Sequence, residues 1–310
     1  MIEIKEKDKW IYPESSDFYG FHTHFHDGRH AVEYYNRKIM ERREEYTRVV
    51  DADEWNHPEA IDASTLVKEV GYHKIENFFD EEKKASLNAM RATINDFIDT
   101  NRHIKSRNQN MVFINHPLYY IPDLYKIAFD ERIVNIAAGY FGCIPALSSI
   151  AVRKSFVTDG PAISNQQYHR DYNSLVKQIK FVVYLHDVNE DGGPFTYVDG
   201  SNAKMWQNWW YHHYPSDEMM ENIYGKDKIV PITANFGDLL MANTRGMHKG
   251  MKPKKHERTA IHICYMIHPE LGGPGHQQET PFANGSKMRK EDFDNLPDWK
   301  KPAADFLVKV

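Results

Sequence analysis

The chain has 310 residues, 41% of them hydrophobic and 27% charged, with a formal net charge of −5. This ordinary composition has room for one large domain or two small ones, and its acidic balance excludes a general nucleic-acid binder, which needs basic excess to neutralise phosphates. Two cysteines, Cys143 and Cys264, exclude a disulfide framework and a thiolate zinc site. The polar start "MIEIKEKDKW" and the absence of an 18-residue apolar run point to a reduced, cytoplasmic protein with no membrane partner.

The first 60 residues are polar and aromatic, with one helix expected from Ala31 to about Val50, where "YYNRKIMERREEYTRVV" is rich in helix formers. "FHTHFHDG" (21–28) holds His22, His24 and His26. A His-x-His near the start can open an amidohydrolase-type metal site, but that fold needs alternating strands and helices downstream, so a surface segment is expected. "VGYHKI" (70–75) reads as a strand. Asp80 then starts a helix with acids in its first turn, and Leu87, Met90, Ile94 and Phe97 recur at helical spacing. A second helical region runs from Leu124 to Phe141 and closes at Gly142.

After Pro145 the period becomes strand-like. Segments 147–157, 178–186, 194–198, 229–233, 237–242 and 258–267 are short and rich in β-branched and aromatic residues. Helices followed by many short strands predict an α+β protein with a β-sandwich or barrel core. In "QIKFVVYLH", Ile179, Phe181, Val183 and Leu185 share one face, while Gln178, Lys180, Tyr184 and His186 fall on the other. In "RTAIHICYMI" the same parity sets Arg258, His262, Cys264 and Met266 opposite Ile261, Ile263 and Ile267. The more polar faces are expected to line a wet interior. Arg153 and Lys154, on the strand before, read as a surface pair, with contact to an anionic substrate as the alternative.

"NQQYHRDYN" (165–173) places His169 and Asp171 two residues apart, so a strand turns both to one side. His248 lies downstream in "GDLLMANTRGMHKGMKP", and Arg258 opens the next strand. Two histidines and a carboxylate on one face, with open positions opposite, suit non-haem Fe(II). An arginine nearby offers a planar fork for the carboxylate of a diacid co-substrate. His57-Pro-Glu59 and His268-Pro-Glu270 share the His-x-acid form but lack the downstream partners, and are expected in loops.

The ordered set His169-Arg-Asp171, His248 and Arg258 resembles the signature of Fe(II)/2-oxoglutarate dioxygenases. "GYHKIENFFDEE", "YHRDYN", "FVVYLHDVNEDGGPFTYVDGSNAK" and "FGDLLMANTRGMHKG" are similar to segments of the phytanoyl-CoA dioxygenase-like superfamily. The resemblance covers roughly residues 66–268. It implies a double-stranded β-helix core flanked by N-terminal helices. Residues 1–65 would form an extension on or near the core, and 66–310 the dioxygenase domain, with a lid-like insertion at 201–225 and a tail at 270–310. It implies Fe(II), 2-oxoglutarate and O2 as requirements, with His169, Asp171 and His248 as catalytic metal ligands and Arg258 as the co-substrate anchor. The expected reaction oxidises, most simply hydroxylates, a small molecule and releases succinate and CO2. A peptide hydroxylase of the same fold and a non-catalytic metal-binding barrel are the alternatives, and the oligomeric state is left open. Asp171 argues against halogenation, for which related enzymes replace the carboxylate with a small residue.

Two positions depart from the family pattern. Asn202 stands where many members have histidine, and Gly250 replaces a hydroxyl residue that supports the co-substrate in some. Tyr184 and, second to it, Thr196 are candidates for that support. Gln166 and Tyr168 are candidates to line the pocket. "KMWQNWWYHHYPSDEMMENIYG" (204–225) is expected to be a helix packed on the core or a lid over the substrate.

Overall fold

The computed structural model describes residues 10–11, 37, 40–46, 58–100, 104–107, 109–114, 116–121, 123–171, 178–206, 214–267 and 287–310. The histidine-rich 21–28 segment, His268-Pro-Glu270 and residues 207–213 lie outside them, as does most of the helix expected over 31–50, of which residue 37 and residues 40–46 are helical.

In chain order, strand β1 (Trp10–Ile11) precedes helix α1 (Pro58–Glu69), strand β2 (Tyr72–Ile75) and helix α2 (Glu81–Asp99). Strands β3 (Ile104–Arg107) and β4 (Met111–Ile114) lead into helices α3 (Pro117–Tyr120), α4 (Leu124–Ala128) and α5 (Glu131–Phe141). Strands β5 (Ala146–Ser155), β6 (Gln178–Tyr184), β7 (Phe195–Val198) and β8 (Met205–Trp206) follow, then helix α6 (Asp217–Tyr224). Strands β9 (Ile229–Ile232), β10 (Leu239–Ala242), β11 (His248–Gly250) and β12 (Arg258–Met266) complete the core. Strand β13 (Lys287–Met288), helix α7 (Lys290–Asp294) and strand β14 (Val308–Lys309) end the chain.

Local chemistry explains the helix limits. The Asp80 carboxylate accepts the Lys83 N–H at 2.8 Å and caps α2 where the sequence placed its start. The region expected as one helix from Leu124 to Phe141 is two, because Asp130 caps a new start by accepting the Arg132 N–H at 3.0 Å. Gly142 ends α5 with φ of 74°. Pro58 and Glu59, expected in a loop, open α1 instead, because proline at the first helical position has no N–H to leave unpaired.

Two antiparallel sheets form the core. The larger has the order β2-β10-β6-β12-β5-β4-β3, and the smaller β11-β7-β9. On one face of the large sheet Ile179, Phe181, Val183, Ile261 and Ile263 pack with Leu87 and Ile94 of α2 and with the buried residues of α5. On the other face Val182, Tyr184, Leu240 and Ala260 meet Phe195, Tyr197 and Ile232 of the small sheet. This is a double-stranded β-helix arrangement with α+β character, and it is an open pair of sheets, not a closed barrel.

The interior also differs from the wet space expected. Its middle is apolar, and polar groups collect at one end. Cys264 and Met266 pack with the helix-backed cluster, near a register shift between Cys264 and Tyr265 that disturbs the alternation. Among the described residues, no helix is long and apolar enough to cross a membrane.

Candidate functional site

The two sheets meet at a seam. His169 and His248 form an isolated antiparallel bridge, each accepting the other's backbone N–H at 2.9 and 3.0 Å. The Asp171 N–H donates to the Thr244 carbonyl at 3.0 Å. Backbone pairing therefore fixes the register of all three side chains before any ligand is considered. Arg170, between them in sequence, is buried and turns away to the carbonyls of Ser201 (3.1 Å) and Arg245 and to the Tyr224 hydroxyl (3.2 Å). Alternation thus gives one anchoring residue between two site residues.

One donor atom from each of His169, Asp171 and His248 lies within 4.8 Å of the others. The Asp171 oxygens are 3.8 Å from His169 Nε2 and 3.9 Å from His248 Nε2. Each imidazole has its Nδ1 2.8 Å from a carbonyl, of Gln167 and of Gly246 respectively. A carbonyl only accepts, so each Nδ1 carries the proton and each Nε2 presents a lone pair. Burial keeps both rings neutral by pushing their pKa values below the usual histidine range, His248 furthest. Burial alone would raise the Asp171 carboxyl, but the Lys180 ammonium beside it outweighs this and holds the group ionised. Two neutral nitrogens and one carboxylate, converging and open on one side, fit a divalent ion such as Fe(II).

The His248 ring is held from behind. Phe195 stacks on it at 5.3 Å, and Tyr197 lies beyond at 6.5 Å and 13°. The Tyr197 hydroxyl donates to the Asn243 carbonyl at 2.7 Å, and only glycine fits at 246, where a Cβ would lie 1.7 Å from that hydroxyl. Ser201 supports this loop as well, and its neighbour Asn202 ties the same turn to α1. Ser201 Oγ accepts the Met247 N–H at 2.7 Å, and Asn202 donates to the Lys68 carbonyl at 3.0 Å.

A cleft leads from the two histidines to Arg258, lined also by Arg153, Gln166, Lys180 and His262. Arg258 is buried, and its guanidinium donates to the Met251 carbonyl at 3.1 Å and to Ser155 Oγ at 3.3 Å. No carboxylate pairs with it among the described residues. Gly250 makes space here, since a Cβ on it would lie 2.9 Å from Arg258 Nη2.

The other expected residues divide. Gln166 lines the cleft and accepts from Asn110 at 2.7 Å. Tyr184 lies on the inner face, where its hydroxyl accepts the Phe195 N–H at 2.8 Å. Thr196 does not join the site: its strand neighbours Phe195 and Tyr197 face inward, and its hydroxyl donates to the Pro194 carbonyl at 3.3 Å. Tyr168 is buried under α6 with Met220 and Met247. Arg153, expected at the surface, shares the cleft with Arg258, because β5 is interior to the sheet between β4 and β12. Sequence reasoning gave no role to Lys180, which pairs with Asp171, or to His262; strand parity had already placed both on the inner face.

A family model described as phytanoyl-CoA dioxygenase matches residues 67–253. The chain is similar to the solved structure of the non-heme alpha ketoglutarate dependent epimerase SnoN from nogalamycin biosynthesis (17% identity, TM-score 0.58, 72% of this chain and 89% of that one). It is similar to the carbocyclase SnoK from the same biosynthesis (19% identity, TM-score 0.55, 70% and 87%). EctD from S. alaskensis, solved with 2-oxoglutarate and 5-hydroxyectoine, also aligns (17% identity, TM-score 0.53, 80% and 86%). At these identities the likeness establishes the fold. No curated protein matches the chain.

Proposed function

The chain belongs to the phytanoyl-CoA dioxygenase family of 2-oxoglutarate-dependent non-haem iron oxygenases, and from that premise we propose that it hydroxylates a small molecule with release of succinate and CO2. In this reading His169, Asp171 and His248 hold Fe(II), and Arg258 binds the distal carboxylate of 2-oxoglutarate. The observation that carries it is the convergence of three donor atoms within 4.8 Å, the two histidines among them sharing a cleft with an arginine that has no carboxylate partner among the described residues. When bound, the iron with its keto-acid co-substrate supplies O2 activation.

The chain's own groups prepare the site. The Gln167 and Gly246 carbonyls hold the protons on Nδ1, so that both imidazoles are ligands at neutral pH. Lys180 keeps Asp171 ionised without spending either histidine as its partner. Phe195 and Tyr197 shield His248 from water on the side away from the cleft. Met251 and Ser155 fix the Arg258 fork before a carboxylate arrives, which lowers the cost of ordering it on binding. A small-molecule substrate is supported by the fold relatives, since SnoN has been solved with nogalamycin RO and EctD with 5-hydroxyectoine. Tyr184 supports the Phe195 backbone and so acts at one remove from the co-substrate.

The test is anaerobic reconstitution with Fe(II) and 2-oxoglutarate. A visible charge-transfer band is expected in the wild type, with none in His248→Ala. Absence of the band, together with no succinate over a broad substrate panel, overturns the reading.

A further inference from the structure

The cleft carries more positive charge than its iron and co-substrate would use. Arg153, Lys180 and Arg258 all line it, and the one carboxylate paired with any of them among the described residues is Asp171. A metal dication and a dianionic co-substrate cancel each other. The cleft would therefore keep an excess of two positive charges, from three cations against one carboxylate, after both had bound. Unbalanced charge inside a protein is costly unless something bound supplies the opposite sign.

Arg153 is where the excess is least satisfied. Its Nε has no hydrogen-bond partner among the described residues. Among the described residues its two terminal nitrogens reach only the neutral Asn165 amide oxygen, at 3.0 and 3.3 Å in the orientation that satisfies both ends of that amide. The guanidinium lies 4.9 Å over the Phe113 ring, which steers it without neutralising it. Register separates it from Arg258: Arg258 pairs across with Ser155, and Arg153 sits opposite Ala260, one inward-facing position further along β5. His262, also in the cleft, has a buried Nδ1 with no partner among the described residues. A fixed fork beside an unpaired imidazole nitrogen makes a second oxyanion position, distinct from the one at Arg258.

Resting on the oxygenase reading of this cleft, we infer that Arg153 seats a carboxylate of the primary substrate, and that the enzyme acts on organic acids. Arg153 is then a specificity-determining residue, and Arg258 serves the co-substrate.

The experiment compares benzoate, 3-phenylpropanoate and octanoate with their primary amides. Binding is read by melting temperature in the metal-free protein and by perturbation of the charge-transfer band in the Fe(II)/2-oxoglutarate form. At least one acid is expected to act at concentrations about tenfold below those of its amide. Arg153→Gln should lose that preference while 2-oxoglutarate affinity stays within about threefold, and Arg153→Lys should retain part of it. Without ligand, Arg153→Gln should melt no lower than the wild type, because it removes an unbalanced cation. A response to no acid, or equal response to acids and amides, overturns the inference. So does an Arg153→Gln variant that loses 2-oxoglutarate as severely as Arg258→Gln, since the guanidinium would then serve the co-substrate. Failure of the band in the wild type overturns the oxygenase reading instead, and the melting comparison still decides on the acid site.

Discussion

The guanidinium of Arg258 occupies the space into which any side chain at Gly250 would project, with Nη2 only 2.9 Å from where that Cβ would begin. The departure from the family pattern at Gly250 is thus matched by the position of the arginine. Ser155 and the Met251 carbonyl hold the guanidinium in that space. Gly250→Val should displace the fork and weaken 2-oxoglutarate binding about tenfold or more. Titration of the charge-transfer band measures this, and turnover at saturating co-substrate should fall much less. An unchanged titration would show that Arg258 does not hold the co-substrate.

Asp171 faces two partners, the proposed metal position and the Lys180 ammonium. Asp171→Ala should abolish metal binding and turnover. It should also cost about 1–3 kcal/mol of stability, because the Lys180 ammonium loses its carboxylate in a cleft only partly open to water. Adding Lys180→Met should recover part of that stability and none of the activity. Urea unfolding of the metal-free proteins separates the two effects; equal stability of the single and double variants would mean that the ion pair is unimportant.

His262 gives the metal-free protein a pH dependence of known sign. Burial, with Arg153, Lys180 and Arg258 nearby, pushes its pKa well below the usual 6.5, so the native state keeps the ring neutral. Below pH 6.5 the unfolded chain binds a proton there that the native state does not. Stability should therefore be full above that pH and decline as pH falls, by about 1.4 kcal/mol per pH unit for this one group. His262→Asn should flatten the slope by one proton, measured as the pH dependence of urea midpoints. A slope unchanged by the substitution would disprove the assignment.

Helix α6 is fastened down. Met220 is fully buried with Tyr168, Val198 and Met247, and Asp217 pairs with Lys249, the residue after His248. Met220→Ala should cost about 2–5 kcal/mol. If the 201–225 insertion shapes the substrate pocket, it should also raise the substrate KM more than it changes uncoupled 2-oxoglutarate decarboxylation.

How much of this was legible in the sequence follows from the range of each signal. Strand parity sorted Ile179, Phe181 and Val183 from Lys180 and Tyr184 because alternation is local and survives any topology. The order of His169, Asp171, His248 and Arg258 was legible because one motif carries it. Strands β3 and β4 were not legible: "IKSR" and "MVFI" are four residues each, too short to show a period, and are held by pairing, β4 to β5 and β3 to β4. Without them Arg153 read as a surface residue, and with them its strand is interior to the sheet. The break at Asp130 was missed because a capping aspartate inside an apolar periodic run looks like a solvent-facing helix residue. Thr196 was misjudged because its face depends on which sheet β7 joins.

The bridge between His169 and His248 gives the proposed metal a role besides chemistry. Strand β11 is an outer strand of the small sheet, and among the described residues its backbone pairing to the chain before β6 is this single bridge, with the Asp171 backbone bond beside it. An ion held by all three side chains would act as a rivet through that weak joint, since a ligand that binds only the closed form adds its binding energy to keeping it closed. A chelator would then loosen the seam as well as stop turnover, and the backbone amides of His169 and His248 would record its opening as faster exchange with solvent.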